Sequence, residues 1–123
     1  SISKNIDKII VKKIKKFNFI YLIAEDYPNK SLKDFIDEQK KQYKNLSVSL
    51  IISNNQNKLS IVLGATEDIT NIFDASKEIK EISTILGGKG VGGRKDLAQG
   101  GGSDISRIDE SINFLVNKLN SIN

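Results

Sequence analysis

A glycine-rich segment contains most of the residues of this chain that could contact a nucleic acid. Eight of the nine glycines lie between Gly87 and Gly102, with basic residues and a glutamine placed among them. Exposed backbone N–H groups and basic side chains bind phosphate and sugar, and the amide of Gln99 could reach a base edge or a 2′-hydroxyl. The residues predicted to form this nucleic-acid surface are Lys89, Gly90, Gly92, Gly93, Arg94, Lys95, Gln99, Gly100, Gly101 and Gly102.

The glycine spacing does not fit the common nucleotide-binding loops. Gly88, Gly90 and Gly93 match the dinucleotide pattern G-x-G-x-x-G, but that pattern must follow a strand and open a helix, whereas this segment follows a predicted helix. A Walker A loop needs Ser or Thr after Gly-Lys, and a kinase loop needs flanking strands. A disordered linker is the remaining alternative. Because charged residues interrupt the glycines, we instead expect two close backbone turns around a short rigid element from Arg94 to Gln99.

The composition excludes most catalytic and metal chemistry. The chain has no cysteine and no histidine, so it has no disulfide, no thiolate or imidazole ligand for zinc, and no His-based catalytic triad. No pair of carboxylates lies in an apolar context suited to acid–base catalysis. Asp96 is interpreted as a structural partner of Arg94 or as a loop cap. We therefore predict no catalytic residue and no metal ligand in this chain.

Positive charge is concentrated at the start of the chain. The net charge is +4, but the first 16 residues contain six lysines and one aspartate, which sum to +5 and leave −1 for the rest. Basic stretches favour nucleic-acid binding, so Lys13 and Lys16 are added to the predicted surface. The alternative is that these lysines form ordinary solvated surface.

Three stretches of the sequence predict strands, and a helical pattern precedes them along the chain. Residues 5–16 suggest a short amphipathic helix, although Ile10 could begin a strand. Residues 17–25 are aromatic and β-branched, which is typical of a buried strand. Residues 46–53 and 58–65 are apolar and are joined by an asparagine-rich loop, which predicts an antiparallel hairpin.

Helices are expected to follow three potential N-caps, and the elements together define the fold class. The caps are Ser31, Asp74 and Ser106, and the last helix carries an apolar stripe that we assign to the core. The order of elements predicts an α/β (α+β) fold: a small two-layer sandwich in which helices pack on a mixed sheet of three to four strands. A chain of 123 residues suffices for one such domain.

The string G-G-x-G-x-G-G-R-x-D-x-A-Q-G-G-G resembles a motif of the alanyl-tRNA synthetase family, in its C-terminal, DHH-associated domain. The resemblance extends from about Phe17 to the end of the chain and includes Ala65-Thr66-Glu67-Asp68-Ile69-Thr70. DHH-type phosphoesterases usually carry histidine in the corresponding motif, so its absence favours the synthetase branch. The sequence departs from the family at Lys95, where proline is usual, at Leu97, where methionine or phenylalanine is usual, and in a longer first glycine cluster.

The resemblance implies a non-catalytic domain of a longer alanine-tRNA ligase. Such a domain binds tRNA(Ala), helps the upstream aminoacylation and editing domains to act on it, and in some members forms a homodimer. Residues 1–16 would be the end of a basic, helical connector, and residues 17–123 the domain itself. The resemblance implies no cofactor in this segment and ATP, Mg²⁺ and Zn²⁺ in the parent protein.

Two other functions remain open at the level of the sequence. One is the oligonucleotide-binding domain of a DHH-type phosphohydrolase, and the other is a dimerisation module paired through the last helix. The chain begins at Ser1 and has no methionine, which suggests a piece of a longer protein. It has no apolar run of 18 residues and no signal-peptide pattern, so we expect a cytoplasmic protein without a membrane partner.

Overall fold

The computed structural model describes residues 7–89 and 92–123, which form a six-stranded sheet and three helices. The strands are β1 (Ile10–Ile14), β2 (Phe17–Glu25), β3 (Ser47–Asn55), β4 (Lys58–Ala65), β5 (Gly92–Gly93) and β6 (Leu97–Gly102), and the helices are α1 (Asn29–Gln42), α2 (Ala75–Ile85) and α3 (Ile108–Ser121). Short 3-10 turns occupy Glu67–Ile69 and Ile105–Arg107. No helix in the described part of the chain is long and apolar enough to cross a membrane.

The strands lie in the order β1-β2-β3-β4-β6-β5 across the sheet. β2 and β3 are parallel because α1 carries the chain back between them, whereas the other neighbouring strands are antiparallel. The predicted β3–β4 hairpin is confirmed, with Gln56 and Asn57 in its turn at φ of +54° and +67°. β1 and β5 form the two edges, and with about 4.8 Å between neighbouring strands these edges lie about 24 Å apart.

Helices cover both faces of the sheet. α2 and α3 pack on one face over the larger core, which includes Phe19 and Leu50. α1 packs on the other face over a smaller core that includes Ile20, Ile51 and Val62. The predicted mixed sheet with packed helices is confirmed. It has six strands instead of three or four, partly because the glycines of β5 and β6 show no apolar pattern. It also has two helical layers instead of one.

The predicted helix over residues 5–16 is wrong where the structure describes it. Ile10–Ile14 is an edge strand of the same sheet, and Ile10 pairs with Tyr21 of β2. A spacing of four places Ile10 and Ile14 on one side of a helix, but it also places them on one face of a strand, where both contact the larger core. Pairing with β2 decides between the two. Residues 1–6 lie outside the described residues.

Two of the three predicted helix caps are replaced by other residues. α1 begins at Asn29, directly after Pro28, so Ser31 is inside the helix and not at its start. Before α3, the side chain of Asp104 accepts a hydrogen bond from the backbone N–H of Ser106 at 3.1 Å, and a 3-10 turn precedes the helix. Pro28 has the extended backbone that is usual before a helix, and Asp104 caps the 3-10 turn with its side chain.

The apolar stripe of α3 lies inside the domain. Its members are at most 5% exposed: Ile108, Ile112, Leu115 and Leu119. They belong to the larger core between α3, α2 and the sheet. The stripe is therefore core, as predicted, and this face is not free to pair with a second copy of the chain.

Candidate nucleic-acid interface

The first glycines of the glycine-rich segment terminate α2. Gly87 has a φ of +73°, a conformation that favours glycine, and its N–H donates to the carbonyl of Thr84 at 3.1 Å. The N–H of Gly88 donates to the carbonyl of Ser83 at 2.7 Å. These two bonds form a Schellman motif, which satisfies carbonyls at the end of the helix. The predicted backbone turn is confirmed at this cluster.

The last glycines of the segment form a strand and not the second turn that we expected. Residues 100–102 pair with residues 59–61 of β4. A Cβ atom on Gly102 would lie 2.7 Å from the Cβ of Leu86, and one on Gly88 would overlap the backbone of Gly101. Glycine therefore allows the end of α2 to pack directly on β6. Strand pairing and this close packing offset the entropy lost when the glycines become ordered.

The turn between β5 and β6 is held by backbone hydrogen bonds. The N–H of Arg94 donates to the carbonyl of Leu97 at 2.8 Å, and the N–H of Leu97 donates back at 3.4 Å. The carbonyl of Lys95 accepts from the N–H of Ala75 at 2.9 Å, at the start of α2. Asp74, the predicted N-cap of α2, is confirmed. The predicted element from Arg94 to Gln99 is thus a hairpin turn and the start of β6, and one backbone hydrogen bond attaches it to α2.

Asp96 joins the same turn to α1 and β4. Its carbonyl accepts hydrogen bonds from the N–H of Ala65 at 3.0 Å and from Nζ of Lys40 at 2.9 Å, and its carboxylate accepts from Nε of Arg94 at 3.1 Å. Partial burial acts to raise the pKa of this carboxyl. The hydrogen bond from Arg94 and the charges of Lys40 and Arg94 outweigh burial, so the pKa of Asp96 lies below its usual value. The predicted partnership of Arg94 and Asp96 is confirmed.

The basic side chains of the segment remain open to solvent. The side chain of Arg94 is 71% exposed although its Nε bonds Asp96, so its terminal nitrogens are accessible. Lys89 and Lys95 are also exposed, and no carboxylate of the described residues lies within 4 Å of either ammonium group. Gly90, another predicted site residue, lies outside the described residues. The hairpin turn thus presents positive charge on a backbone fixed by hydrogen bonds.

A groove borders this hairpin on the face of the sheet that carries α1. A cavity of about 470 Å³ lies between the first turns of α1 and strands β4 and β6, and its lining includes Lys30, Lys33, Ser60 and Gln99. A second cavity, of about 200 Å³, shares Lys33 and Gln99 and extends to β5 and Arg94. These two neighbouring cavities, which share lining residues, are together named the α1 groove. Lys30 and Lys33 could not be singled out from the sequence, because lysines on an exposed helix side resemble ordinary surface.

The two remaining predicted residues lie at the opposite edge of the sheet. Lys13 is in β1, opposite Asn18 of β2, and Lys16 is in the turn that follows; both are exposed. The structure therefore does not bring them together with Arg94 and Gln99. In residues 7–89 and 92–123, no group of three or more acidic residues is placed to hold a metal ion.

Sequence comparison relates the chain to a domain family and to much longer proteins. The DHHA1 domain model matches residues 7–121. An alanine–tRNA ligase of Rickettsia bellii is 39% identical over 97 residues, which are 79% of this chain and 11% of that protein. The same enzyme of Rhodopseudomonas palustris is 41% identical over 83 residues, which are 68% of this chain and 9% of that protein. The chain thus spans about a tenth of these relatives.

Structural comparison agrees with the sequence. The C-Ala domain from Aquifex aeolicus alanyl-tRNA synthetase superposes with a TM-score of 0.84 and 28% identity, over 91% of this chain and 99% of that domain. A DHH-domain member of the S1P family of ribosomal proteins, at a TM-score of 0.62 and 16% identity, covers 93% of this chain and 28% of its own, and shares the fold alone. The family resemblance inferred from the glycine motif is confirmed. This chain belongs to the DHHA1 domain family and is a homologue of alanyl-tRNA synthetases.

Proposed function

We propose that this chain is a non-catalytic, tRNA-binding C-terminal domain of an alanyl-tRNA synthetase. In this role it holds tRNA(Ala) so that upstream aminoacylation and editing domains act on the same molecule. The observation that carries the proposal is the match to the C-Ala domain, in which 91% of this chain covers 99% of that domain. The two are therefore equivalent units of fold and length.

The hairpin between β5 and β6 supports RNA binding on physical grounds. Arg94 and Lys95 are exposed next to each other on a turn whose carbonyls are already bonded to α1, α2 and β4. A rigid cationic turn binds phosphates without first losing conformational entropy. Phosphate contacts of this kind recognise RNA by backbone and shape more than by base sequence.

The proposal extends to the protein of which this chain is a part. That parent is an alanine-tRNA ligase of the cytoplasm that uses ATP, with Mg²⁺ and Zn²⁺ bound in domains other than this one. Its partners for this domain are tRNA(Ala) and the upstream domains. The alternative of a DHH-type phosphohydrolase has weaker support, because the DHH-domain structure matches at only 16% identity.

A salt-dependent titration of tRNA(Ala) tests the proposal. The double variant R94A/K95A should bind more weakly, and the slope of log affinity against log salt should fall by about 1.5, since each lost phosphate contact removes about 0.7 to 0.9. Fluorescence anisotropy between about 50 and 200 mM salt measures both quantities. Unchanged affinity and slope in this variant would remove the hairpin from the proposed site.

A matched variant on the other edge controls for the loss of charge. K13A/K16A also removes two positive charges, but at the other edge of the sheet, about 24 Å away across five strand spacings. We expect its salt slope to fall by less than half as much as that of R94A/K95A. Equal losses in both variants would indicate general attraction to a basic protein and would contradict a site at the hairpin.

A further inference from the structure

The α1 groove lies beside α1, between the first turns of that helix and strands β4 and β6. Near its C-terminal end, α1 is tightly packed: a Cβ atom on Gly64 would overlap the side chain of Ile36, and Lys40 is bonded to Asp96 of the hairpin. Near its N-terminal end, α1 borders the larger cavity, which Ser60 also lines. The groove is therefore open at one end and closed at the other by a bonded contact.

Gly92 marks the wall of this groove that β5 forms. It pairs with Gln99, and residues directly opposite each other in an antiparallel pair face the same side of a sheet, which here is the α1 side. A Cβ atom on Gly92 would meet no atom of the described structure within 4 Å, apart from its chain neighbours. Packing within the described residues does not explain glycine here, whereas close approach of a ligand would.

The charge of the groove selects an anionic ligand. Lys30, Lys33 and Arg94 contribute to its lining, which includes no carboxylate among the described residues. Neither Lys30 nor Lys33 has a carboxylate within 4 Å in the same part of the structure. The exposed amide of Gln99 lies between the lysine wall and Gly92, and it both donates and accepts hydrogen bonds.

The size of the groove selects a single nucleotide over a duplex. The larger cavity, of about 470 Å³, falls in the range of small-ligand sites, which is about 300 to 1,000 Å³, and the smaller one of about 200 Å³ lies beside it. Double-stranded RNA is instead recognised across its broad minor groove and phosphates, and its stacked bases do not enter such a cavity. Unpaired nucleotides can be turned outward and read on their exposed edges.

We propose that the α1 groove binds one unpaired nucleotide of an RNA, with its phosphate between Lys33 and Arg94 and its sugar or base against Gly92 and Gln99. This inference rests on the proposed function for the identity of the polymer. It adds α1 as one wall of the proposed site. It also specifies the class of RNA structure that binds there, which is a single-stranded loop or end. Arg94 then serves both the hairpin surface and the groove.

Competition between two RNAs of matched charge tests the inference on the whole chain. A fluorescein-labelled single-stranded hexamer of mixed sequence is compared with a blunt RNA duplex carrying the same number of phosphates. The hexamer should bind more tightly than the duplex. Gly92→Ala should weaken binding of the hexamer about tenfold, because its methyl group would occupy the space in which the ligand approaches β5. Lys33→Ala should weaken that binding about threefold by loss of a phosphate contact. Both variants should leave the duplex nearly unaffected.

Lys41→Ala is the matched control, because Lys41 is exposed on the same helix but does not line the groove. Its hexamer affinity should equal that of the unaltered chain. If tRNA(Ala) binds and the hexamer does not, or if neither Gly92→Ala nor Lys33→Ala weakens it, the inference fails while the proposed function stands. If neither RNA binds, both fail. Displacement of the hexamer by an oligoglutamate peptide at equal charge would overturn the choice of RNA in favour of an acidic protein.

Discussion

The β1 edge and the β5–β6 edge of the sheet carry similar positive charge, but their backbones are held in place by different contacts. At the β1 edge, lysines flank an ordinary hairpin, and the side chain of Val11 is 47% exposed. At the β5–β6 edge, glycines bring α2 against the strand, and Asp96 links the turn to α1 and β4. Charge therefore does not by itself distinguish a binding site from solvated surface. The proposed binding site differs from the β1 edge in that its backbone is held by hydrogen bonds beside an open groove.

The largest expected contrast between the two edges is in stability. Gly88→Ala should lower the free energy of unfolding by about 3 kcal/mol, because its Cβ would overlap backbone at Gly101 that cannot rotate away. Val11→Ala, at the β1 edge, should cost less than about 0.5 kcal/mol. Urea denaturation measures both. Similar losses at the two positions would contradict the view that glycine packing defines the β5–β6 edge.

A smaller effect is expected when the link through Asp96 is broken. Asp96→Ala removes the side-chain bond to Arg94 and the attraction of the carboxylate to Lys40, and should cost about 0.5 to 1 kcal/mol at pH 7, a modest figure because Arg94 is mostly exposed. Asp34→Ala serves as control, since Asp34 is exposed and forms no ion pair among the described residues.

The same variant has a predictable pH dependence. The pKa of Asp96 is lowered in the folded chain from its usual 3.8, so its contribution is fully present above that value and is lost as the pH falls through the lowered pKa. The stability difference between Asp96→Ala and the unaltered chain should therefore be constant near neutral pH and shrink below about pH 4. A difference that grew on acidification would refute this role of the carboxylate.

The smallest effect is expected at the β1 edge. Lys16→Ala should cost about 0.5 kcal/mol, because its Nζ lies 5.5 Å from the centre of the Phe17 ring and makes an exposed cation–π contact. Lys13→Ala should be neutral within about 0.3 kcal/mol. Thermal unfolding of each single variant measures the difference. A loss above about 1 kcal/mol for Lys13→Ala would show that this edge is structurally specified after all.

Apolar strands and helices were predictable from local pattern. β2, the β3–β4 hairpin and the N-cap of α2 at Asp74 follow from runs of apolar residues, turn residues and a capping side chain, each of which acts over a few positions. β1 was not predictable, because its isoleucines are four residues apart and fit a helix and a strand equally well. β6 was missed for a related reason: glycine has no side chain with which to show a strand pattern.

The candidate site was predictable only where its residues are contiguous. The segment from Arg94 to Gln99 could be singled out, and the pairing of Arg94 with Asp96 followed from opposite charges two residues apart. Lys30 and Lys33 are more than 60 residues away in sequence and carry no local signal of a site. Their position opposite Gln99 depends on where α1 crosses β4 and β6.

The sequence by itself determined the family, the absence of cysteine and histidine chemistry, and the segment that carries the basic turn. These properties follow from the types of residue present and from their short spacings along the chain. Tertiary structure alone decided that five of the eight clustered glycines lie in strands, that the two basic regions lie at opposite edges, and that α1 completes a groove. Those outcomes depend on long-range pairing and packing, which bring together residues that no local interaction connects.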